Sequence, residues 1–232
     1  MDSVLQNVWE KIEAAFITAD RWKLYVRGLG ITLQVAVYAG IIGIIIGTIV
    51  AFMKLSTRKN GKPTILSHIA NIYIDIIRGT PSMLQLLIMW FVVLANCKNG
   101  IFVASLTFGI NSGAYVAEIV RAGILAVDKG QMEAGRSLGL GYGYTMRSII
   151  LPQAFKNVLP ALGNEFIVLL KETSICGYIA LQDLTKGGDI ILSQTYDAFL
   201  PLLAVALIYL SMVVVLSHLL KKLEKYLQKN ER

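Results

Sequence analysis

Apolar positions in this chain gather into long runs, not the one-in-two or three-in-seven alternation of a water-soluble domain. Residues 28–53 carry no charge, which exceeds the roughly 20 apolar residues a helix needs to cross a bilayer. A second run, Ile65 to Cys97, is interrupted in its first half by Asp75 and Arg78. A third begins at Gly100 and stays uncharged until Glu118. The fourth, Ala154 to Leu181, is weakened by Glu165, Lys171 and Glu172, and the fifth, Ala198 to Leu220, is again uncharged. The pattern predicts an all-α membrane protein of about five spans, the fourth being the weakest by hydropathy. Ahead of the first span, Val4, Leu5, Val8, Ile12, Ala15 and Phe16 recur at helical spacing, which predicts an amphipathic segment on the membrane surface. Residues 1–23 then form an N-terminal extracytoplasmic segment, 24–220 the transmembrane domain with a loop at 129–152, and 221–232 a basic tail.

Within the first span, Ala39, Gly43, Gly47 and Ala51 repeat every four residues. On a helix this makes one stripe of small side chains, where a neighbouring helix can approach closely.

Composition agrees with lipid as the main solvent. Of 232 residues, 55% are hydrophobic and 16% charged, against about 25% charged in a typical soluble domain. The formal net charge of +7 does not point to nucleic acid, because the cations cluster by loop. Lys54, Arg58, Lys59 and Lys62 follow the first span; Arg121, Lys129, Arg136 and Arg147 lie between the third and fourth; Lys221, Lys222, Lys225, Lys229 and Arg232 follow the fifth. The other loops offer only Lys98 and Lys186, although Lys11, Arg21, Lys23 and Arg27 precede the first span. An odd span count with this bias predicts an outside N-terminus and a cytoplasmic C-terminus. The first 20 residues hold Asp2, Glu10, Glu13 and Asp20 and no apolar core. They do not read as a cleaved signal peptide, so the first span is expected to act as its own insertion signal. Cys97 and Cys176 read as small apolar thiols, and His68 and His218 are too far apart in sequence to suggest a metal site.

The most informative loop is Gly130-Gln131-Met132-Glu133-Ala134-Gly135-Arg136-Ser137-Leu138-Gly139, then nine residues, then Ile149-Ile150-Leu151-Pro152. Gln131 to Leu138 is a short helix candidate between glycines that let the chain turn. Pro152, which cannot donate a backbone hydrogen bond, is expected at the entry to the next helix. The loop therefore reads as a compact helical knob standing off the membrane.

This loop resembles the signature loop of ABC importer permeases: Glu-Ala-Ala, three residues, Gly, nine residues, Ile-x-Leu-Pro. Glu133, Ala134, Gly139, Ile149, Leu151 and Pro152 fall on it in register. Gly135 departs from it, standing where the family usually has its second alanine; glycine weakens a helix by about 1 kcal/mol, which predicts a looser knob. The resemblance implies that Gly130, Gln131, Glu133, Ala134, Arg136 and Gly139 dock on a separate ATPase subunit. Arg78-Gly79-Thr80-Pro81 with Gln85, Ala114-Tyr115-Val116-Ala117-Glu118 through Ile124, Leu151-Pro152-Gln153-Ala154, Asn164 and Lys171-Glu172-Thr173-Ser174 are similar to the polar amino acid permeases of that family. The likeness covers roughly residues 25–220. It implies two permease subunits (homo- or heterodimer), an ATPase dimer holding ATP and Mg, and an extracytoplasmic substrate-binding protein.

Charges in the spans are costly, about 2.5–3.5 kcal/mol each at a helix centre. Asp75 with Arg78 and Glu118 with Arg121 stand three apart, so each can pair on one helix face, as neutralised pairs or as gating contacts. Glu165 has no basic residue within one turn, so water, a cationic substrate group or a hydrogen bond from another subunit must meet it. Asn164, Gln85, Asn111, Ser112 and Tyr115 are further candidates for lining the same path. The sequence has neither a phosphate-binding G-x-x-x-x-G-K-[ST] loop nor a Ser/His/Asp or Cys/His arrangement. Energy and much of the selectivity are expected from other polypeptides, and this chain is expected to bind no cofactor. The alternative is an ion-coupled transporter or channel working without an ATPase, which intramembrane carboxylates would suit. Against it stands the lack of an internal repeat.

Overall fold

The computed structural model describes residue 6, residues 9–56 and residues 62–229. Val4, Leu5 and Val8 of the N-terminal stripe, Arg58 and Lys59 of the first loop, and Arg232 of the tail lie outside the described residues. All the described elements are helices. The α-helices numbered here are α1 (Trp22–Leu55), α2 (Ile65–Arg78), α3 (Ser82–Ile88), α4 (Gly100–Leu125), α5 (Lys129–Ser137), α6 (Tyr142–Thr145), α7 (Leu151–Glu172), α8 (Leu184–Thr195) and α9 (Phe199–Lys229), with π- and 3-10 turns between some of them.

By length and apolarity, α1, α4 and α9 each suffice to cross a membrane. The expected second span is broken: α2 ends at Arg78 and α3 starts at Ser82, and the two meet the requirement only as a pair. Gly79-Thr80-Pro81 makes the break, since Pro81 disfavours helical backbone at Thr80 and brings no N–H of its own. The freed end is partly satisfied by the Thr80 hydroxyl, which donates to the Ile76 carbonyl at 2.9 Å. The expected fourth span is α7. Its 22 residues reach about 33 Å, comparable to the hydrocarbon core, but Glu165, Lys171 and Glu172 keep it below the apolarity of the other three. It stops at Glu172 and gives way to a tighter turn, Thr173–Ile179.

Pro152 stands at the entry to α7, as its second residue, but no break precedes it. The backbone is helical without interruption from Tyr142 to Glu172, with a π-turn at Met146–Ile150 in which the Leu151 N–H reaches back to the Met146 carbonyl. The wider turn just before the proline relieves its clash with the preceding carbonyls.

The chain divides into two compact units. One comprises Met1–Ala39, Ser82–Phe108 and Val168–Leu216. Its core joins Val35, Ala39, Leu86, Ala104, Phe108, Leu169, Cys176 and Ile179, with a second cluster of Tyr25, Leu184, Ile191, Ala204 and Val205. Phe16 packs its ring 5.5 Å from that of Tyr25 and Ala15 is buried. So the described part of the N-terminal stripe turns onto protein, while Trp9 and Ile17 stay exposed. Asp183, fully buried, caps α8 by accepting from the N–H groups of Thr185 (3.0 Å) and Lys186 (3.1 Å).

Burial pushes the Asp183 carboxyl up to about 6, against the two backbone donors, which favour its ionised form. An unfolded aspartate titrates near 3.9. The folded state therefore binds more protons between pH ~4 and ~6, and stability from this group falls as pH rises through that window. Asp183→Asn, which keeps a capping oxygen and removes the charge, is expected to flatten the fall in Tm of the purified chain between pH 4 and 6. Parallel profiles for the two proteins would contradict this.

The other unit comprises Gly40–Pro81, Gly109–Ile167 and Ser217–Arg232. It centres on Val50, Ala51, Ala70, Ile74, Ala114 and Ala117, with Ile124, Val127, Ile150 and Ala154 forming a second cluster. Here the small-residue stripe of α1 meets α4. A Cβ on Gly43 would lie 3.1 Å from Ser112, and one on Gly47 would lie 2.5 Å from Val116 and 2.7 Å from the Gly113 carbonyl oxygen. From the α2 side, the Tyr73 hydroxyl donates to the Ile110 carbonyl at 2.5 Å. From Gly109 onward α4 is thus the packed centre of this unit, whereas α9 leaves Leu207, Leu210, Val214 and Val215 of the first unit and Leu219 of this one exposed, as a lipid-facing helix does.

Candidate functional site

The knob is built as the loop pattern predicts and is tighter than predicted. Asp128 starts α5 by accepting from the Gly130 N–H at 2.6 Å. The helix closes when the Gly139 N–H bonds to the Arg136 carbonyl (3.0 Å) and the Leu140 N–H to the Gly135 carbonyl (3.1 Å). This paired closure needs a left-handed residue just beyond the helix, and Gly139 supplies it with φ +82°. The signature glycine is therefore the helix stop. Gln131, Glu133, Ala134 and Arg136 face outward, with Lys129 and Gly130 also exposed at the helix start.

Gly135 corrects the expectation of a looser knob. It is buried, and a Cβ there would lie 2.6 Å from Thr145 Cγ2 and 2.9 Å from its Oγ1. The missing methyl lets α5 sit directly on the start of the π-turn leading to α7. Met132 and Met146 pack on the cluster of Ile124, Val127, Ile150 and Ala154 beneath. Sequence reasoning missed the large apolar side chains around the knob. Leu138 is 81% exposed, and Tyr142 and Tyr144 are also exposed. Their signal was available: three bulky residues in a glycine-rich turn with no helix face to absorb them.

In the same unit, polar groups of the spans gather near the middle of α4 and α7. The buried Ser112 hydroxyl donates to Glu165 Oε1 at 2.8 Å, and Glu165 is half-buried. Arg78, exposed at the end of α2, lays its guanidinium 5.0 Å from the centre of the Tyr115 ring and interacts electrostatically with Glu165. Asn111 is buried and Asn164 exposed in this unit; Gln85 belongs to the other unit, half-buried.

The expected Asp75–Arg78 pair does not form among the described residues. Spacing brought the two within reach on α2, but the face of Tyr115 on α4 takes the guanidinium and leaves Asp75 exposed. Glu118 and Arg121 do pair, with Arg121 Nε and Nη2 donating to one carboxylate oxygen at 3.0 and 2.9 Å. Lys54, from the end of α1, bonds to the other oxygen. That third partner lies 64 positions away, and no local spacing points to it.

Residues 31–229 match the family model for the inner membrane component of binding-protein-dependent transport systems. The chain belongs to that family. This inner membrane component is 41% identical over 208 residues to the arginine transport system permease protein ArtQ of Bacillus subtilis, covering 88% of this chain and 93% of the relative. It is 37% identical over 207 residues to the glutamine transport system permease protein GlnP of Escherichia coli, covering 87% and 92%. Among solved structures it superposes with a TM-score of 0.80 on a chain of an amino acid ABC transporter crystallised with histidines, at 44% identity, covering 88% of this chain and 94% of that one. An inward-facing MetNI methionine ABC transporter shares the fold, with a TM-score of 0.79 at 20% identity over 91% and 99% of the two chains. The component is thus the transmembrane subunit of an ATP-driven importer, and ATP hydrolysis belongs to a separate subunit.

Proposed function

We propose that this subunit passes a polar amino acid across the bacterial cytoplasmic membrane, with its N-terminus outside and its C-terminus in the cytoplasm. The observation that carries the substrate class is the cluster on α2, α4 and α7: a carboxylate, Glu165, held by Ser112, and a guanidinium, Arg78, held over Tyr115. An amino acid brings an ammonium and a carboxylate, and a site offering one charge of each sign matches both. The partial burial of Glu165 makes its contact stronger than in water. The names of the relatives, arginine and glutamine permeases, support the same class. Asn164 and Asn111, of the same unit, are secondary contacts on this reading. Lys54, Glu118 and Arg121 tie α1 to α4 and serve the inner gate.

The knob couples the membrane helices to an ATPase dimer that holds ATP and Mg, with Gln131, Glu133, Ala134 and Arg136 in the docking surface and Leu138, Tyr142 and Tyr144 around it. A second permease subunit completes the path, and a binding protein delivers the amino acid from outside. ATP binding draws the two knobs together and opens the path outward; hydrolysis lets it open inward.

Gly139 tests the coupling role cleanly, because space around its Cβ is open and only backbone strain is at stake. Left-handed backbone costs a β-branched residue at least about 1–2 kcal/mol, roughly 5- to 30-fold in the population of closed helix ends, while asparagine tolerates it. In proteoliposomes with the ATPase and the binding protein, Gly139→Val is expected to lose most of the stimulated ATPase activity and Gly139→Asn to keep it. Equal activity of the two variants would remove the helix stop from the coupling role.

A further inference from the structure

We infer that Gly135 and Thr145 form a size-matched joint that sets the position of the docking helix against α7, so that the family's usual alanine at position 135 would impair this protein. The inference rests on the coupling role proposed above and adds a positioning pair to it.

The case begins with what glycine loses. An interior helical glycine is less favourable than alanine by about 1 kcal/mol, and α5 has only nine residues over which to recover it. A glycine there needs a reason, and its surroundings supply one. Gly135 is buried while Glu133, Ala134, Arg136 and Ser137 around it are exposed, so it is, with Met132, a point where α5 rests on the protein. The atom beneath is Thr145 Cγ2, 2.6 Å from where a Cβ would stand, with Thr145 Oγ1 at 2.9 Å and its Cβ at 3.3 Å. Cβ atoms essentially never approach that closely, so an alanine must move the helix or the threonine.

Thr145 is poorly able to move. It is fully buried, its hydroxyl donates to the Gly141 carbonyl at 3.1 Å, and it is β-branched and stiff about χ1. Directly after it comes the π-turn, Met146–Ile150, which runs without a break into α7. α7 carries Glu165. The Gly135 carbonyl also accepts the Leu140 N–H that closes the knob. One residue thus holds the helix end on one side and rests on the root of α7 on the other. A push on the exposed face of α5 reaches α7 through this contact, and the contact has no slack to absorb it.

The test uses the complete importer in proteoliposomes, measuring labelled arginine or glutamine imported per ATP hydrolysed. Gly135→Ala is expected to lower that ratio at least threefold, and Thr145→Ala, which empties the seat, about twofold. The double variant is expected to return to within about twofold of wild type, because removing Oγ1 and Cγ2 leaves the new methyl a tolerable neighbour. That recovery separates positioning from mere instability, since two independently destabilising changes would add. A Gly135→Ala importer as well coupled as wild type, or a double variant no better than Gly135→Ala, overturns the inference. If Gly139→Val uncouples the importer while Gly135→Ala does not, only the joint is wrong; if neither matters, the coupling role itself falls.

Discussion

Replacing Gly47 by leucine is expected to leave almost no folded permease in the membrane. A single methyl at this position already lies 2.5 Å from Val116 and 2.7 Å from the Gly113 carbonyl oxygen. The side chain could rotate away, but the backbone oxygen belongs to α4, the packed centre of its unit. Overpacking of this kind costs about 1–3 kcal/mol for small insertions, and leucine adds three more carbons where none fit. In a bilayer no hydrophobic penalty for separation holds the helices together, so close contact of small residues supplies much of the association. Gly47→Ala is therefore expected to survive with a lowered Tm, and Gly47→Leu to be degraded or to elute as aggregate after detergent extraction. Substituting Gly30, whose Cβ would meet nothing within 4 Å, with leucine provides the control. Equal yields of the Gly47 and Gly30 leucine variants would contradict the packing described here.

The second large effect is expected at Glu165. Glu165→Gln keeps the shape and an oxygen that can accept from Ser112, and removes only the charge. Losing the charged partner of a buried, hydrogen-bonded pair costs about 2–5 kcal/mol, so import is expected to fall by roughly 30-fold or more. Assembly with the ATPase should be unchanged, since the knob is built from other residues. The effect should appear mainly as a loss of import per binding-protein encounter, with basal ATP hydrolysis retained. An import rate within threefold of wild type would show that Glu165 has only a structural hydrogen bond to make.

Much of this was legible in the sequence, and the rest failed for physical reasons. Charge-free runs found α1, α4 and α9, because lipid demands apolar side chains on any exposed helix face. The same criterion undervalues α7, whose Glu165 is met by Ser112 rather than by lipid. The break after Arg78 could be read from Gly79-Thr80-Pro81. Spacing along one helix shows which side chains can meet and says nothing of competitors on another helix. Hence Glu118 and Arg121 pair as expected, Arg78 turns from Asp75 to Tyr115, and Lys54 joins Glu118 unannounced. Gly135 is the sharpest case. Helix propensity alone made it a weak point, whereas its distance to Thr145 makes it a contact.

The most direct measurement of the central claim is import into sealed proteoliposomes holding this chain and its ATPase, with binding protein and labelled arginine or glutamine outside. Accumulation that requires ATP in the lumen, the ATPase and the binding protein together, and that ignores imposed proton or sodium gradients, is the predicted result. Accumulation driven by an ion gradient through this chain alone would contradict the account, and would make the intramembrane carboxylates the relay of a different kind of transporter.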